Sequence, residues 1–308
     1  MREIKKPQYV WMDGKMIPFD DAKVHVFTPM AKYGINVFEG LRAYWNEKQK
    51  ELYSFRIRDH YQRLFESMKI MRMHIDYTLS DCEKLLVEIL QKNNFKEDLH
   101  IRHTVYLGGF ENYSAKEPTG MIIMAIPQHI DSEKEITCSM SSWLRIADNC
   151  VPPRVKAGSN YQNSRLAAIQ AKEDGYDEPI LLSSKGTVTE SGSSCFFMIR
   201  KGIVLTPPVT GSILEGVVRS SLIELCKNEL NLQVEEREID RTEVYLAEEA
   251  FLCGSAADII PIKSVDRIPL GNGKTGITTQ KIKALYFDIV RGNNTKYLKW
   301  LTPTYGSR

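Results

Sequence analysis

Apolar residues recur at helical spacing in several stretches of the chain. From Asp59 onward, Tyr61, Leu64, Phe65, Met68 and Met71 make one stripe, and from Ser80 onward Cys82, Leu85, Leu86, Ile89 and Leu90 make another that Asn93 and Asn94 end. Ser80 and Glu83 read as the capping pair of this second helix. A third helix runs from Ser164 to about Asp174 and stops at Gly175. A fourth follows Gly216 with Val218, Leu222, Leu225 and Cys226 on one face, and a fifth carries Ile282, Leu285, Tyr286, Ile289 and Val290 before Gly292. Strand-like runs lie between them at Glu51 to Phe55, Ile101 to Leu107, Met121 to Ile126, Ile136 to Trp143, Pro179 to Ser183, Cys195 to Ile199, Ile203 to Leu205 and Ala250 to Cys253.

Mixed helices and strands predict an α/β (α+β) chain. After Pro127 the stretch Gln128 to Glu135 is polar and aperiodic, so the division expected is a small α+β domain at 1–127, an interdomain loop at 128–136 and a larger domain at 137–308. Neither an internal repeat nor a low-complexity segment interrupts it.

Composition narrows the classes. The 308 residues are 43% hydrophobic and 26% charged, within the globular norm, and the net charge of +2 is spread along the chain. No basic stripe marks a nucleic-acid or anionic-membrane surface, and no apolar run is long enough to span a bilayer. The cysteines, Cys82, Cys138, Cys150, Cys195, Cys226 and Cys253, are widely spaced without a C-x-x-C pair, and the N-terminus lacks an apolar signal core. The reading is a cytoplasmic protein with reduced thiols.

Two motifs invite chemistry and receive ordinary readings. Gly271-Asn272-Gly273-Lys274-Thr275-Gly276 matches G-x-G-x-x-G but follows Pro269 with no βαβ unit after it, so a glycine-rich turn is expected rather than a dinucleotide site. His100 and His103 sit three apart in a strand-like run, where their side chains point to opposite faces, so no metal pair is expected.

More specific is an ordered series: YGINVFEGLR (Tyr33 to Arg42), HYQRL (His60 to Leu64), HIR (His100 to Arg102), SSW (Ser141 to Trp143), KAGSNY (Lys156 to Tyr161), TPP (Thr206 to Pro208) and CGSAADIIPI (Cys253 to Ile262). Together they resemble the branched-chain amino acid aminotransferases, fold type IV enzymes dependent on pyridoxal 5'-phosphate. The resemblance runs from about Tyr9 to Thr302. It implies two α/β domains of the D-amino acid aminotransferase-like fold with the cofactor between them. It also implies at least a homodimer, and transfer of the α-amino group of an L-amino acid to 2-oxoglutarate, giving a 2-oxo acid and L-glutamate.

By the same resemblance Lys156 is the catalytic lysine that binds the cofactor aldehyde, Glu190 pairs with the ring nitrogen and Tyr161 with the ring oxygen. Arg63, the amides of Val217 and Val218 and the Ser255 hydroxyl hold the phosphate. The amides of Ser255 and Ala256 receive the substrate α-carboxylate, Tyr33 and Arg102 handle the second carboxylate of glutamate, and Phe38 and Gly40 line the pocket. The chain departs from the pattern at Ser191 and Cys195, which replace a glycine and an asparagine. It departs again at Gln128, Asp131 and His100, where aromatic residues are usual. These polar replacements predict tolerance of a polar donor side chain. The alternatives weighed are a specialised class IV transaminase, a D-amino acid aminotransferase or aminodeoxychorismate lyase, and a non-enzymatic binding protein on the same fold. VFEGLR and the intact Lys156, Glu190, Tyr161 and Arg63 favour L-specific transamination.

Overall fold

The computed structural model describes residues 5–306. In chain order the elements are β1 (Tyr9–Met12), β2 (Lys15–Pro18), α1 (Pro29–Tyr33), β3 (Asn36–Asn46), β4 (Glu51–Phe55), α2 (Ile57–Met71), α3 (Leu79–Asn93), β5 (Leu99–Leu107), β6 (Thr119–Pro127) and β7 (Ile136–Leu144). They continue as α4 (Tyr161–Glu173), β8 (Glu178–Leu182), β9 (Val188–Ser191), β10 (Cys195–Arg200), β11 (Ile203–Thr206), α5 (Val217–Asn228), β12 (Val234–Glu236), β13 (Glu249–Gly254), β14 (Asp258–Val265), β15 (Ile268–Pro269), α6 (Ile277–Val290) and β16 (Leu301–Pro303).

The chain packs as two compact units. The first takes the chain up to Ile130, together with Val155–Ser159 and the chain from Asp288 onward; the second is Asp131–Arg154 and Asn160–Phe287. Val155–Ser159 and the C-terminal stretch thus pack with the first unit although they lie beyond the polar segment at 128–136. The C-terminal stretch is held there because β16 pairs antiparallel with β4, and the buried Glu51 carboxylate accepts the amides of Thr304 and Tyr305 at 2.9 and 2.8 Å.

The first unit is a sheet ordered β16-β4-β3-β5-β6-β1-β2, covered on one face by α2 and α3. Alternation along β3 sends Val37, Leu41 and Ala43 into a core with Tyr61, Leu64 and Met68 of α2 and Leu86, Ile89 and Leu90 of α3. Each large apolar side chain buried there contributes roughly 1.5–3 kcal/mol. The second helix is capped differently from expectation. Thr78 and Asp81 form the reciprocal box, not Ser80 and Glu83, and the helix begins two residues earlier than its apolar stripe indicates. Its end is as read, with Asn94 in the left-handed conformation at φ 50°.

In the second unit β9 pairs with both β8 and β10, so the path β10-β13-β14-β7-β8-β9 closes on itself as a barrel. Its interior holds Phe196, Met198, Leu252, Ala250, Ile180 and Val188. An irregularity between β8 and β9 sets the direction of Glu190. Val188 opposes Leu182 while Ser191 opposes Ile180, so β9 has one residue more than β8 across this interval. Without that bulge Glu190 would face the core like Val188; with it, Glu190 turns to the face that carries its partner Cys195.

The glycine-rich stretch is a turn, as expected. Gly271 and Gly273 have φ of 51° and 74°, and the α6 N-terminus that comes after them is already capped, because the Glu249 carboxylate accepts the amides of Thr278 and Thr279 at 3.0 and 2.7 Å. A protein carboxylate therefore occupies the end where a nucleotide phosphate would have to bind.

Candidate active site

In the first unit positions 38, 40 and 42 of β3 (Phe38, Gly40 and Arg42) share one face of the sheet with Thr104, Arg102 and His100, their register partners on β5. Arg102 stacks on Phe38 with its guanidinium carbon 3.4 Å from the ring centroid, and the Lys156 Nζ stands 5.0 Å from the same centroid. Lys156 is placed by its main chain. Its carbonyl accepts the Phe38 amide at 2.9 Å, its own amide donates to the Ser67 hydroxyl of α2 at 3.4 Å, and Ala157 bridges Val37. Gly158 fits only as glycine, because a Cβ there would lie 2.7 Å from the Asn36 side-chain amide.

Arg63 is held from the other face. Glu39, fully buried on β3, accepts Arg63 Nε and Nη2 at 2.7 Å each and the His60 Nδ1–H at 2.8 Å. Burial pushes the Glu39 carboxyl up, but Arg63 and His60 together outweigh it and bring it down to about 2. Glu39 and His60 were not among the residues singled out in the sequence, although both stand inside the quoted FEGLR and HYQRL segments.

Tyr33 closes α1 at the surface, its ring edge-on to Tyr113 at 6.1 Å. Among the described residues it makes no hydrogen bond to Phe38, Gly40 or Arg102. His100 lies against Gly40, with Nε2 3.2 Å from where a Cβ would be. Burial, then Arg42 and Arg102, lower it to about 4, so its ring is neutral. What Arg42 reaches at Gln128 is the main-chain carbonyl, at 3.3 Å. Asp131, in the second unit, uses its carboxylate to accept the Glu133 amide at 3.2 Å.

His103, whose Nδ1 lies 3.1 Å from the Tyr61 hydroxyl, is lowered by burial to about 3, and burial also lowers His60. A histidine kept neutral in the fold takes up a proton on unfolding once the pH falls below its ordinary value. Stability is therefore full above about pH 6.5 and declines as pH falls toward 4, with His100 and His103 each adding up to about 1.4 kcal/mol per pH unit and His60 acting in the same direction. Urea unfolding at pH 6.5 and 5 is expected to show a loss of several kcal/mol; equal stability at the two values would contradict the neutral assignment.

The second unit gathers its own cluster around Cys195, which opposes Glu190 on β9 and Cys253 on β13. The Glu190 carboxylate meets Arg145 Nη2 at 2.8 Å and accepts the Leu214 amide at 3.2 and 3.3 Å to its two oxygens. Tyr161 starts α4, a helix whose Asn163 donates to the Leu144 carbonyl at 2.9 Å and whose Ser164 would lie 3.6 Å from a Cβ placed on Gly192. Val217 and Val218 begin α5 without a side-chain cap, so their amides keep the positive end of the helix. Ser255 and Ala256 occupy the β13–β14 turn, where Gly254 lies against Ser193 and Ser194.

The two departures in the glutamate loop leave it well made. Ser191 donates from its hydroxyl to Glu178 at 3.2 Å and closes the turn through its amide to Ser194, 2.9 Å away. Cys195 fills the space under Gly216, where an added Cβ would come within 2.8 Å of its sulfur. Gly216 has φ of −73°, so Gly216→Ala is opposed by this sulfur and not by its backbone. The variant is expected to lose roughly 1–3 kcal/mol in urea unfolding. Cys195→Ala in the same chain should recover most of that loss, and no recovery would contradict the steric account.

These groups suit pyridoxal phosphate. An uncapped helix start answers a phosphate, a buried carboxylate beside a guanidinium answers a ring cation, and a main-chain-fixed lysine answers an aldehyde. The comparisons with known proteins agree with the motifs. The model of amino-transferase class IV matches residues 36–265. A probable branched-chain-amino-acid aminotransferase of Aquifex aeolicus is 37% identical over 303 residues, covering 96% of this chain and 97% of that protein. The branched-chain-amino-acid aminotransferase of Escherichia coli K12 is 36% identical over 305 residues, covering 96% and 97%. The crystal structure of the branched-chain aminotransferase of Thermoproteus uzoniensis with norvaline superposes with a TM-score of 0.93 at 39% identity, covering 97% of this chain and 100% of that one. That of Thermobaculum terrenum in its PLP-form gives 0.93 at 38%, covering 97% and 99%. The chain belongs to the class IV amino-transferases.

Proposed function

We propose that the protein is a pyridoxal-phosphate-dependent aminotransferase that moves the α-amino group of a branched-chain L-amino acid to 2-oxoglutarate, releasing a 2-oxo acid and L-glutamate. The observation that carries this reading is the presentation of Lys156, whose Nζ stands over Phe38 on the sheet face that also bears Arg102. When bound, pyridoxal phosphate supplies an aldehyde for amines and a ring that accepts the electrons of the Cα–H bond.

The chain's residues do the rest. Lys156 Nζ holds the aldehyde carbon, yields it to the substrate amine, and then takes and returns the Cα proton. Glu190 faces the ring nitrogen and Tyr161 donates to the ring oxygen. Arg63, Ser255 and the amides of Val217 and Val218 hold the phosphate. Ser255 and Ala256 receive the α-carboxylate, Arg102 with Tyr33 the second carboxylate of glutamate, and Phe38 packs on the aliphatic side chain while Gly40 leaves it room.

A second feature favours a donor range wider than the aliphatic amino acids. The neutral His100 ring beside Gly40 offers a hydrogen-bond donor and acceptor on the sheet face that also carries Phe38 and Arg102. Steady-state formation of L-glutamate from 2-oxoglutarate, with L-leucine, L-isoleucine, polar L-amino acids and D-alanine as donors, tests both readings. Highest kcat/KM with L-leucine or L-isoleucine, and measurable turnover of polar donors, is expected; turnover of D-alanine alone would overturn the reading.

The protein is proposed to act as a homodimer or larger homo-oligomer. Support comes from a cluster of exposed aromatic rings, Phe27 against Phe110 at 5.9 Å and Tyr33 against Tyr113, which is unfavourable left in water. None of the six cysteines is in a disulfide. No described helix is long and apolar enough to cross a membrane.

A further inference from the structure

Arg145 comes directly after β7, its amide donating to the Leu182 carbonyl at 2.8 Å. Its side chain is only 7% exposed, and its single ion pair runs from Nη2 to Glu190 Oε1 at 2.8 Å. Nε and Nη1 are both buried and have no hydrogen-bond partner among the described residues. A buried guanidinium with two donors unmet is a poor way to stabilise a fold, since hydrophobic side chains of similar volume commonly do as well or better there. It is an effective way to orient and keep ionised one carboxylate, because the Leu214 amide pins the same group from another direction.

We propose that Arg145 is a positioning residue that acts through Glu190: it fixes the carboxylate, as an anion, for the ring nitrogen of bound pyridoxal phosphate. The inference rests on the ring-nitrogen role proposed for Glu190. Its consequence is that loss of Arg145 alters the cofactor's protonation and affinity only through Glu190, while loss of the whole Arg145–Glu190 pair leaves the cofactor-free protein as stable as wild type.

The test compares wild type with Arg145→Met, Arg145→Lys, Glu190→Gln and the Arg145→Met/Glu190→Gln double variant. Three quantities are read: thermal midpoint without cofactor, dissociation constant for pyridoxal phosphate, and the pH midpoint of the bound cofactor's visible band. Arg145→Met is expected to weaken cofactor binding by about tenfold and to move the band midpoint by about one pH unit, with partial rescue in Arg145→Lys. On a Glu190→Gln background the same Arg145→Met change should alter both by less than about twofold. The double variant, which removes both charges, should melt without cofactor at or above wild type, so a folded protein is available even where Arg145→Met alone folds poorly. Unchanged affinity and band midpoint in Arg145→Met, or an undiminished effect on the Glu190→Gln background, would overturn the proposal. A Glu190→Gln variant that keeps the wild-type affinity for pyridoxal phosphate and the wild-type band midpoint would instead overturn the role of Glu190 on which it rests.

Discussion

Replacing Lys156 by alanine is expected to lower transamination by about 10⁴-fold while leaving the fold intact. The two effects separate because Lys156 is positioned by its main chain. The carbonyl that accepts the Phe38 amide and the amide that donates to Ser67 both survive in alanine. Only the Nζ above Phe38 is lost, and with it the one group proposed both to bind the cofactor aldehyde and to carry the Cα proton. Glutamate formation from L-leucine and 2-oxoglutarate, measured beside far-UV circular dichroism, checks this. A variant that keeps its spectrum and retains activity within tenfold of wild type would contradict the assignment.

Glu39→Ala is expected to lose about 3–5 kcal/mol of stability, because it leaves the Arg63 guanidinium in the interior with its bidentate partner gone. The pH dependence points the same way. A carboxyl brought down from 4.5 to about 2 contributes about 3 kcal/mol that is present above pH 4.5 and disappears as pH falls through about 2. The same variant should weaken cofactor binding, since Arg63, proposed to hold the phosphate, is oriented through Glu39. Glu39→Asp, which keeps the charge on a shorter stem, should lose less of both. Urea unfolding and equilibrium dialysis with pyridoxal phosphate measure the two; a stability change below about 1 kcal/mol would remove Glu39 from this role.

Much of the fold was legible because periodicity survives burial on one face. The stripes of α2, α3 and α5 and the runs of β4, β5, β6 and β10 stand close to where the apolar pattern places them, and Gly175 and Gly292 end their helices with φ of 81° and 72°. The longest strand, β3, does not read as a strand, because Glu39, Gly40 and Arg42 interrupt its apolar run. Those interruptions carry the polar groups around the proposed site: Glu39 is buried against α2, and Arg42 is buried on the opposite face. β14 escaped for a related reason, with Pro261 inside it. The capping pair of α3 was misplaced because Thr78-Asp81 and Ser80-Glu83 satisfy the same pattern two residues apart.

The site divides in the same way. Lys156, Arg63, Glu190 and Tyr161 could be named from motifs, each a short local string. The groups that orient them could not, because the pairing of Glu39 with Arg63 and of Arg145 with Glu190 joins distant segments. Glu190 adds a case where alternation misleads, since one bulged residue turns its side chain from the barrel interior to the opposite face of the strand.

The most direct test of Lys156 as the cofactor-binding residue is the visible spectrum of the purified protein, loaded with pyridoxal phosphate and titrated with L-leucine in the absence of any 2-oxo acid. The expected result is a visible band that L-leucine bleaches and 2-oxoglutarate restores, with the band absent in Lys156→Ala. The same band persisting in Lys156→Ala would contradict it, and a wild-type band that L-leucine and other L-amino acids leave unchanged would contradict the transaminase reading built on it.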